Sequence, residues 1–189
     1  MIRIAVIGDI GSGKSFVAKK FGHPVFDADR EVAILYRKNR KCFRNLKKIL
    51  PGYVTSFPVK KTELARAIVE KHSNLKKIIK IVHPEIQYKM KKFIKKNKNK
   101  KIIILDIPLF LENKLNKKND ILIFIDAKKK DINKKLKKKH NLSVKILKKF
   151  QLPVELKKKK ADFIVKNNFK SNSVKKNVKM ILGKILLNA

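Results

Sequence analysis

A chain of 189 residues, 43% of them hydrophobic, is long enough for one domain with a real core and short for two. No stretch approaches the ~18 uninterrupted apolar residues of a membrane span, and the apolar start is too short for a signal peptide, so no membrane association and a cytoplasmic protein are expected. The net charge of +37, from 51 Lys and Arg against 14 Asp and Glu, raises by itself the question of a polyanionic partner.

Ile2 to Ile7 reads as a buried parallel strand ending at Gly8. Ser15 to Phe21 has helical spacing through Phe16, Val17 and Phe21 and closes at Gly22. Pro24 to Phe26 predicts a second, short strand that delivers Asp27 and Asp29 at its C-terminal end. From residue 30 to 99 apolar residues recur at helical intervals with no clear strand, as in a helical insertion. Strand character returns at Lys101 to Leu105, ending at Asp106, and at Ile121 to Ile125, ending at Asp126. Residues 131–160 are lysine-rich and helical, broken near Asn141 and at Pro153; runs such as Lys157 to Lys160 read as solvated faces. Phe163 to Val165 is the last strand, and Ser171 to Leu187 a closing amphipathic helix over the sheet. Strands alternating with helices predict a doubly wound, parallel α/β sheet.

Gly8-Asp9-Ile10-Gly11-Ser12-Gly13-Lys14-Ser15 fits the phosphate-loop pattern G-x-x-x-x-G-K-[ST] and stands where the physics requires, after an apolar strand and at the start of a helix. Its glycines let backbone N–H groups wrap phosphates, with the helix dipole behind them. Lys14 neutralises charge on the β and γ phosphates in such a loop, and the Ser15 hydroxyl ligates Mg²⁺. Asp106 stands where a second, metal-facing carboxylate would, although an aspartate ending a strand is also a common turn former. Asp27-Ala28-Asp29 brings two carboxylates to the crevice where open α/β sheets bind ligands. An extended Asp-Ala-Asp puts both on one face, where a carboxylate can accept a hydroxyl proton; capping a helix that begins at Arg30 is the lesser alternative for Asp29. His83-Pro84 reads as a helix start with Pro84 at its first position.

Taken in order, these features resemble the dephospho-coenzyme A kinase family. The similarity runs through Ile7 to Ser15, Pro24-Val25-Phe26-Asp27-Ala28-Asp29, His83-Pro84-Glu85-Ile86 and Leu105-Asp106-Ile107-Pro108-Leu109-Phe110-Leu111-Glu112. It continues at Gln151-Leu152-Pro153, Ala161-Asp162 and Asn167-Asn168, so it is collinear over nearly the whole chain. The resemblance implies a three-layer α/β/α P-loop fold that phosphorylates the ribose 3′-hydroxyl of dephospho-coenzyme A with ATP and Mg²⁺. It implies one domain with a core of about 1–29, 100–127 and 161–189, a substrate-binding insertion of about 30–99 and a lid of about 128–160. Asp29 matches the family's catalytic aspartate, with Lys14 beside it. The implied ATP set is Gly8, Gly11, Ser12, Gly13, Lys14, Ser15 and Phe16 with Lys135 and Lys139 of the lid. The implied substrate set is Asp29, His83, Pro84, Asp106 and Pro108, with Ser15 and Asp106 serving Mg²⁺, the latter through water. Three departures stand out. Asp9 replaces the usual glycine and brings an acidic side chain near phosphates. Lysines stand at 135 and 139 where the lid often carries arginines, and Val154 replaces another; Lys157 and Lys158 are candidates to compensate.

Two other readings compete. A shikimate-kinase-like enzyme also pairs a P-loop with Asp-x-Asp, but it carries a Gly-Gly-Gly turn where this chain has Asp106-Ile107-Pro108-Leu109. A basic nucleic-acid-binding NTPase is the other. Only six of the basic residues are arginine (Arg3, Arg30, Arg37, Arg40, Arg44 and Arg66), whereas nucleic-acid readers favour arginine for bidentate contacts. The lysines are spread through most segments beside abundant Asn and Ile, a pattern of compositional drift, so no specific nucleic-acid partner is expected. The lone Cys42 excludes an intrachain disulfide, fits a reducing compartment and reads as a small helix residue. The expected assembly is a monomer or weak oligomer.

Overall fold

The computed structural model describes residues 1–137, 148 and 150–187. They divide into two compact units, one of residues 1–27 and 97–189 and the other of residues 28–96.

The first unit is built on a five-stranded sheet whose paired strands are all parallel: β1 (Ile2–Gly8), β2 (Val25–Asp27), β3 (Ile102–Asp106), β4 (Asp120–Asp126) and β5 (Phe163–Lys166). The order β2-β3-β1-β4-β5 puts β1 at the centre. The chain steps from β1 outward to β2 and later crosses over it from β3 to β4, so the strand order reverses at β1. A crevice opens at the C-terminal end of such a strand, and here that end is Gly8. Side chains alternate along each strand. Ile4, Val6, Ile102, Ile104, Ile123 and Ile125 pack on one face against Val17 and Ala18 of α1 (Lys14–Ala18) and Val174, Val178, Ile181 and Ile185 of α8 (Ser171–Leu187). The alternate residues Ala5, Ile7, Ile103, Leu105 and Phe124 are buried as well, which explains why these strands read as unbroken apolar runs. Among the described residues, α6 (Lys129–Lys137) and α7 (Val154–Lys159) also follow β4. The expected break near Asn141 lies outside the described residues.

The second unit is all helical: α2 (Ala28–Lys38), α3 (Arg40–Ile49), α4 (Lys61–Glu70) and α5 (Ser73–Lys96). Leu35, Leu46, Leu64, Ile78 and Val82 form its core with the loop residues Val54 and Val59. Asn39 caps α3 by accepting the Cys42 N–H at 2.8 Å. Cys42 is buried on that helix, and desolvation, with Glu85 adding to it, pushes its thiol up to about 11. Among the described residues no helix is long and apolar enough to cross a membrane.

Two local expectations are overturned. His83-Pro84 does not begin a helix but lies inside α5. Ile78, Val82 and Ile86 keep the i, i+4 spacing across it and pack on the unit's core, and that burial outweighs the backbone bond Pro84 cannot make. The Asp-Ala-Asp segment is not extended either: β2 ends at Asp27 and α2 begins at Ala28. Asp29 therefore stands within the first turn of α2, neither in line with Asp27 along a strand nor capping a helix from Arg30.

The start of β4 is fastened to β1 by a two-pronged ion pair. Arg3 Nη2 donates to Asp120 Oδ2 at 3.0 Å, and Nε lies 2.8 Å from Oδ1. Asp120 Oδ2 also accepts the Lys117 N–H at 2.9 Å, so this nearly buried carboxylate orders the turn before its own strand. Removing one partner of a buried pair leaves the other charge uncompensated. Asp120→Ala should cost about 3 kcal/mol, read as a fall in the urea midpoint at unchanged slope; a loss under about 0.5 kcal/mol would mean the pair does not hold the strand.

Candidate active site

The loop from Gly8 to Gly13 closes the central strand and opens α1. Gly8 (φ 148°), Gly11 (φ 83°) and Gly13 (φ 85°) hold backbone angles that side chains resist. Space forbids side chains too. A Cβ on Gly8 would meet the Ile125 carbonyl at 2.8 Å, and one on Gly13 would collide with the Asn167 amide and the Phe169 ring. Neighbours thus press on the loop, whose Ile10 N–H donates to Asp9 Oδ1 at 2.7 Å and whose Ser12 N–H donates to the Asp9 carbonyl at 3.2 Å. Asn167 secures this arrangement: it is buried at the end of β5, and its Nδ2 donates to the Ser12 carbonyl at 2.8 Å. Lys14 Nζ donates to the Asp9 carbonyl at 2.9 Å and reaches the Gly8 carbonyl at 3.4 Å, so its ammonium stands over the mouth of the loop. Ser15 is exposed in the first turn of α1, and Phe16 packs partly into the sheet core.

Two carboxylates end neighbouring strands beside this loop. Asp106 is paired in register with Asp27 across β2 and β3, and Asp106 is buried. Pro108 follows in the turn after β3, where Leu109 takes a φ of 54°. A small cleft, open to solvent, is bounded by Gly8, Lys14, Ile107, Glu112, Gln151 and Lys157. The donors here are hydroxyl and carboxylate oxygens, which suit Mg²⁺. Among the described residues no three His, Cys, Asp or Glu side chains form a metal cage. Such a site would therefore rely on phosphate and water for most ligands, as Mg²⁺ sites do.

On the other side of the loop Ile132 and Leu136 of α6 crowd Gly11, and Lys135 Nζ lies 3.8 Å from the centroid of the Phe169 ring that flanks Gly13. Lys135 is thus carried next to the loop through an aromatic face. Lys139 lies outside the described residues. Asp29 is exposed in α2, and His83 and Pro84 belong to α5, all in the helical unit.

Sequence reasoning missed the roles of four residues: Glu112, Gln151, Lys157 and Asn167. Lys157 contradicts its reading as part of a solvated face, for it is 2% exposed. Its ammonium reaches Glu112 Oε1 at 3.2 Å and the Gly8 carbonyl at 3.4 Å. Composition cannot single out one lysine in a run of four. The signal was positional, since Lys157 lies six residues after Gln151, on the helix that follows Pro153.

His83 is half-buried, and desolvation lowers its pKa from the ordinary 6.5. The folded protein then favours neutral imidazole while the unfolded chain binds the proton more readily. Its contribution is therefore fully present above about pH 6.5 and is lost as pH falls through the lower folded value. Urea unfolding at about pH 7.5 and about pH 5.5 should show a loss that shrinks in His83→Gln; an equal loss in both proteins would contradict this.

A family model described as dephospho-CoA kinase matches residues 2–173. A dephospho-CoA kinase from Wolbachia pipientis wMel is 32% identical over 192 aligned residues, covering 98% of each chain. One from Wolbachia sp. subsp. Brugia malayi is 37% identical over 129 residues, 66% of each chain. Among solved structures, TT1252 from Thermus thermophilus superposes with a TM-score of 0.77 at 26% identity over 97% of both chains. Dephospho-CoA kinase from Campylobacter jejuni shares the fold, with a TM-score of 0.64 at 23% identity over 97% of this chain and 96% of that one. A glycine loop of this geometry is common to many nucleotide-binding proteins; the match over residues 2–173 is specific, and by it the chain belongs to the dephospho-CoA kinase family.

Proposed function

We propose that the chain transfers the γ-phosphoryl group of ATP to the ribose 3′-hydroxyl of dephospho-coenzyme A, yielding coenzyme A and ADP. The observation that carries this reading is the family match across residues 2–173. In it the loop residues Gly8, Gly11, Ser12, Gly13 and Ser15 bind the β and γ phosphates through backbone N–H groups, and the first turn through Phe16 adds its dipole. Lys14, already at the loop mouth, meets charge that grows on the transferred group, aided from the lid by Lys135 and Lys139. The Ser15 hydroxyl, and Asp106 through water, would hold Mg²⁺, which would supply further neutralisation of phosphate charge. The family resemblance assigns His83 and Pro84 of the helical unit, and Asp106 and Pro108 of the sheet unit, to the acceptor. Asp29 orients the acceptor hydroxyl and takes its proton as the oxygen–phosphorus bond forms; the bond to the β,γ-bridging oxygen breaks, and ADP leaves with that electron pair.

Lys14→Ala should leave a folded protein whose turnover falls by roughly a hundredfold or more, because a preorganised cation at the developing charge is lost. Near-normal turnover in the folded variant would remove the loop from the chemistry.

Asp29→Asn tests the proton acceptor. The side chain keeps its size and its place in the first turn of α2, giving up a charge–dipole contribution of about 0.3–1 kcal/mol. It should therefore fold and bind ATP while single-turnover transfer slows by roughly a hundred- to ten-thousandfold. Asp27→Asn should be milder. Wild-type transfer by Asp29→Asn with a dead Asp27→Asn would reverse the assignment.

A further inference from the structure

Asp9 is a carboxylate inside a phosphate-binding loop, where an unrestrained negative charge would repel the phosphates. Its Oδ1 accepts the Ile10 N–H at 2.7 Å, which turns it back on its own backbone. The second contact comes from far along the chain. The Gln151 side chain lies between Asp9 and Lys157. A carboxylate can only accept hydrogen bonds and an ammonium only donate them, so the orientation of the amide is forced. Its NH₂ donates to Asp9 Oδ1 at 2.8 Å, and its oxygen accepts from Lys157 Nζ at 3.0 Å. Lys157 then has three acceptors for its three protons: the Gln151 oxygen, Glu112 Oε1 at 3.2 Å and the Gly8 carbonyl at 3.4 Å. Glu112 Oε1 in turn takes the Leu152 N–H at 3.0 Å, fixing the backbone that presents Gln151. The chain Asp9–Gln151–Lys157–Glu112 is therefore a closed polar network joining the loop to the turn after β3 and to α7.

We propose that Gln151 is a positioning residue that restrains the Asp9 carboxylate and links it to the buried Lys157 charge, making an acidic phosphate loop compatible with nucleotide binding. Asp9 and Gln151 form the contact that matters. Lys157 supplies the countercharge within reach of the same amide. This also assigns Lys157 a purpose other than direct contact with nucleotide, because its donors are already engaged by protein.

The inference rests on the ATP reading of the loop, and the two can fail separately. Equilibrium binding of Mg·ATP is measured by calorimetry for the wild type, Gln151→Ala, Asp9→Asn and the double variant, with a thermal melt of each to establish folding. Gln151→Ala alone should weaken binding roughly tenfold, within the range for residues in direct contact. Adding Asp9→Asn should recover most of that loss, because the charge that Gln151 restrains is gone. A purely structural role for Gln151 would give the same loss with either residue at position 9. Additive effects, or no effect of Gln151→Ala, would overturn the inference while leaving the ATP reading intact. A folded wild type that binds no Mg·ATP would overturn the ATP reading and this inference with it.

Discussion

Backbone amides can converge on a phosphate only if the chain turns through angles that side chains resist and if nothing fills the concave side. Gly8 and Gly13 meet the first condition with φ of 148° and 85°. The second demands support from outside, because the glycines contribute no side chains to pack and have the most conformational freedom to lose. Much of the sheet unit serves that need. The Ile125 carbonyl abuts Gly8, Ile132 and Leu136 crowd Gly11, and Asn167 with Phe169 closes on Gly13. The Asn167 amide holds the Ser12 carbonyl outward, and the Lys157 ammonium reaches the Gly8 carbonyl. Elements as distant in sequence as β1 and β5 are thus tied to one small cavity of backbone donors.

The sheet's topology explains why the supports come from those places. With β1 central and β3 and β4 as its neighbours, the loop at its end is flanked by whatever follows β3 on one side and β4 and β5 on the other. Asp106, Pro108 and Glu112 follow β3; Asn167 and Phe169 follow β5. Lysines in this setting divide by environment. Lys14 and Lys157 have specific acceptors, and Lys157 is buried. Exposed lysines such as Lys159 and Lys160 face solvent, where charges more than about 8 Å apart are largely screened at physiological salt. The net charge of +37 is therefore a poor guide to function by itself.

The β1 strand, the loop and the closing helix were legible because each carries its own local signal: an apolar run, a glycine spacing and an amphipathic period. The helical insertion was legible for the same reason. Failures came where distant contacts decide. Pro84 argued locally for a helix start, yet packing through Ile78, Val82 and Ile86 carries α5 across it. Asp29 was read on an extended segment because β2 has no local stop signal; α2 begins one residue after Asp27. Lys157 is indistinguishable from its neighbours by composition, and only the fold brings Glu112, Gly8 and Gln151 around it. Asn167, quoted as part of a motif, gained a physical role only when its partner Ser12, in the loop after the central strand, was known.

The central claim is a phosphoryl transfer to one hydroxyl of one acceptor. The most direct test follows both products together: protein, Mg·ATP and dephospho-coenzyme A are incubated, ADP is quantified, and the acceptor is analysed by phosphorus NMR and mass spectrometry. The account predicts one ADP for each coenzyme A formed, with the new phosphate on the ribose 3′ oxygen and negligible ATP consumption when the acceptor is left out. ATP turnover that ignores dephospho-coenzyme A and is driven instead by DNA or RNA would contradict it.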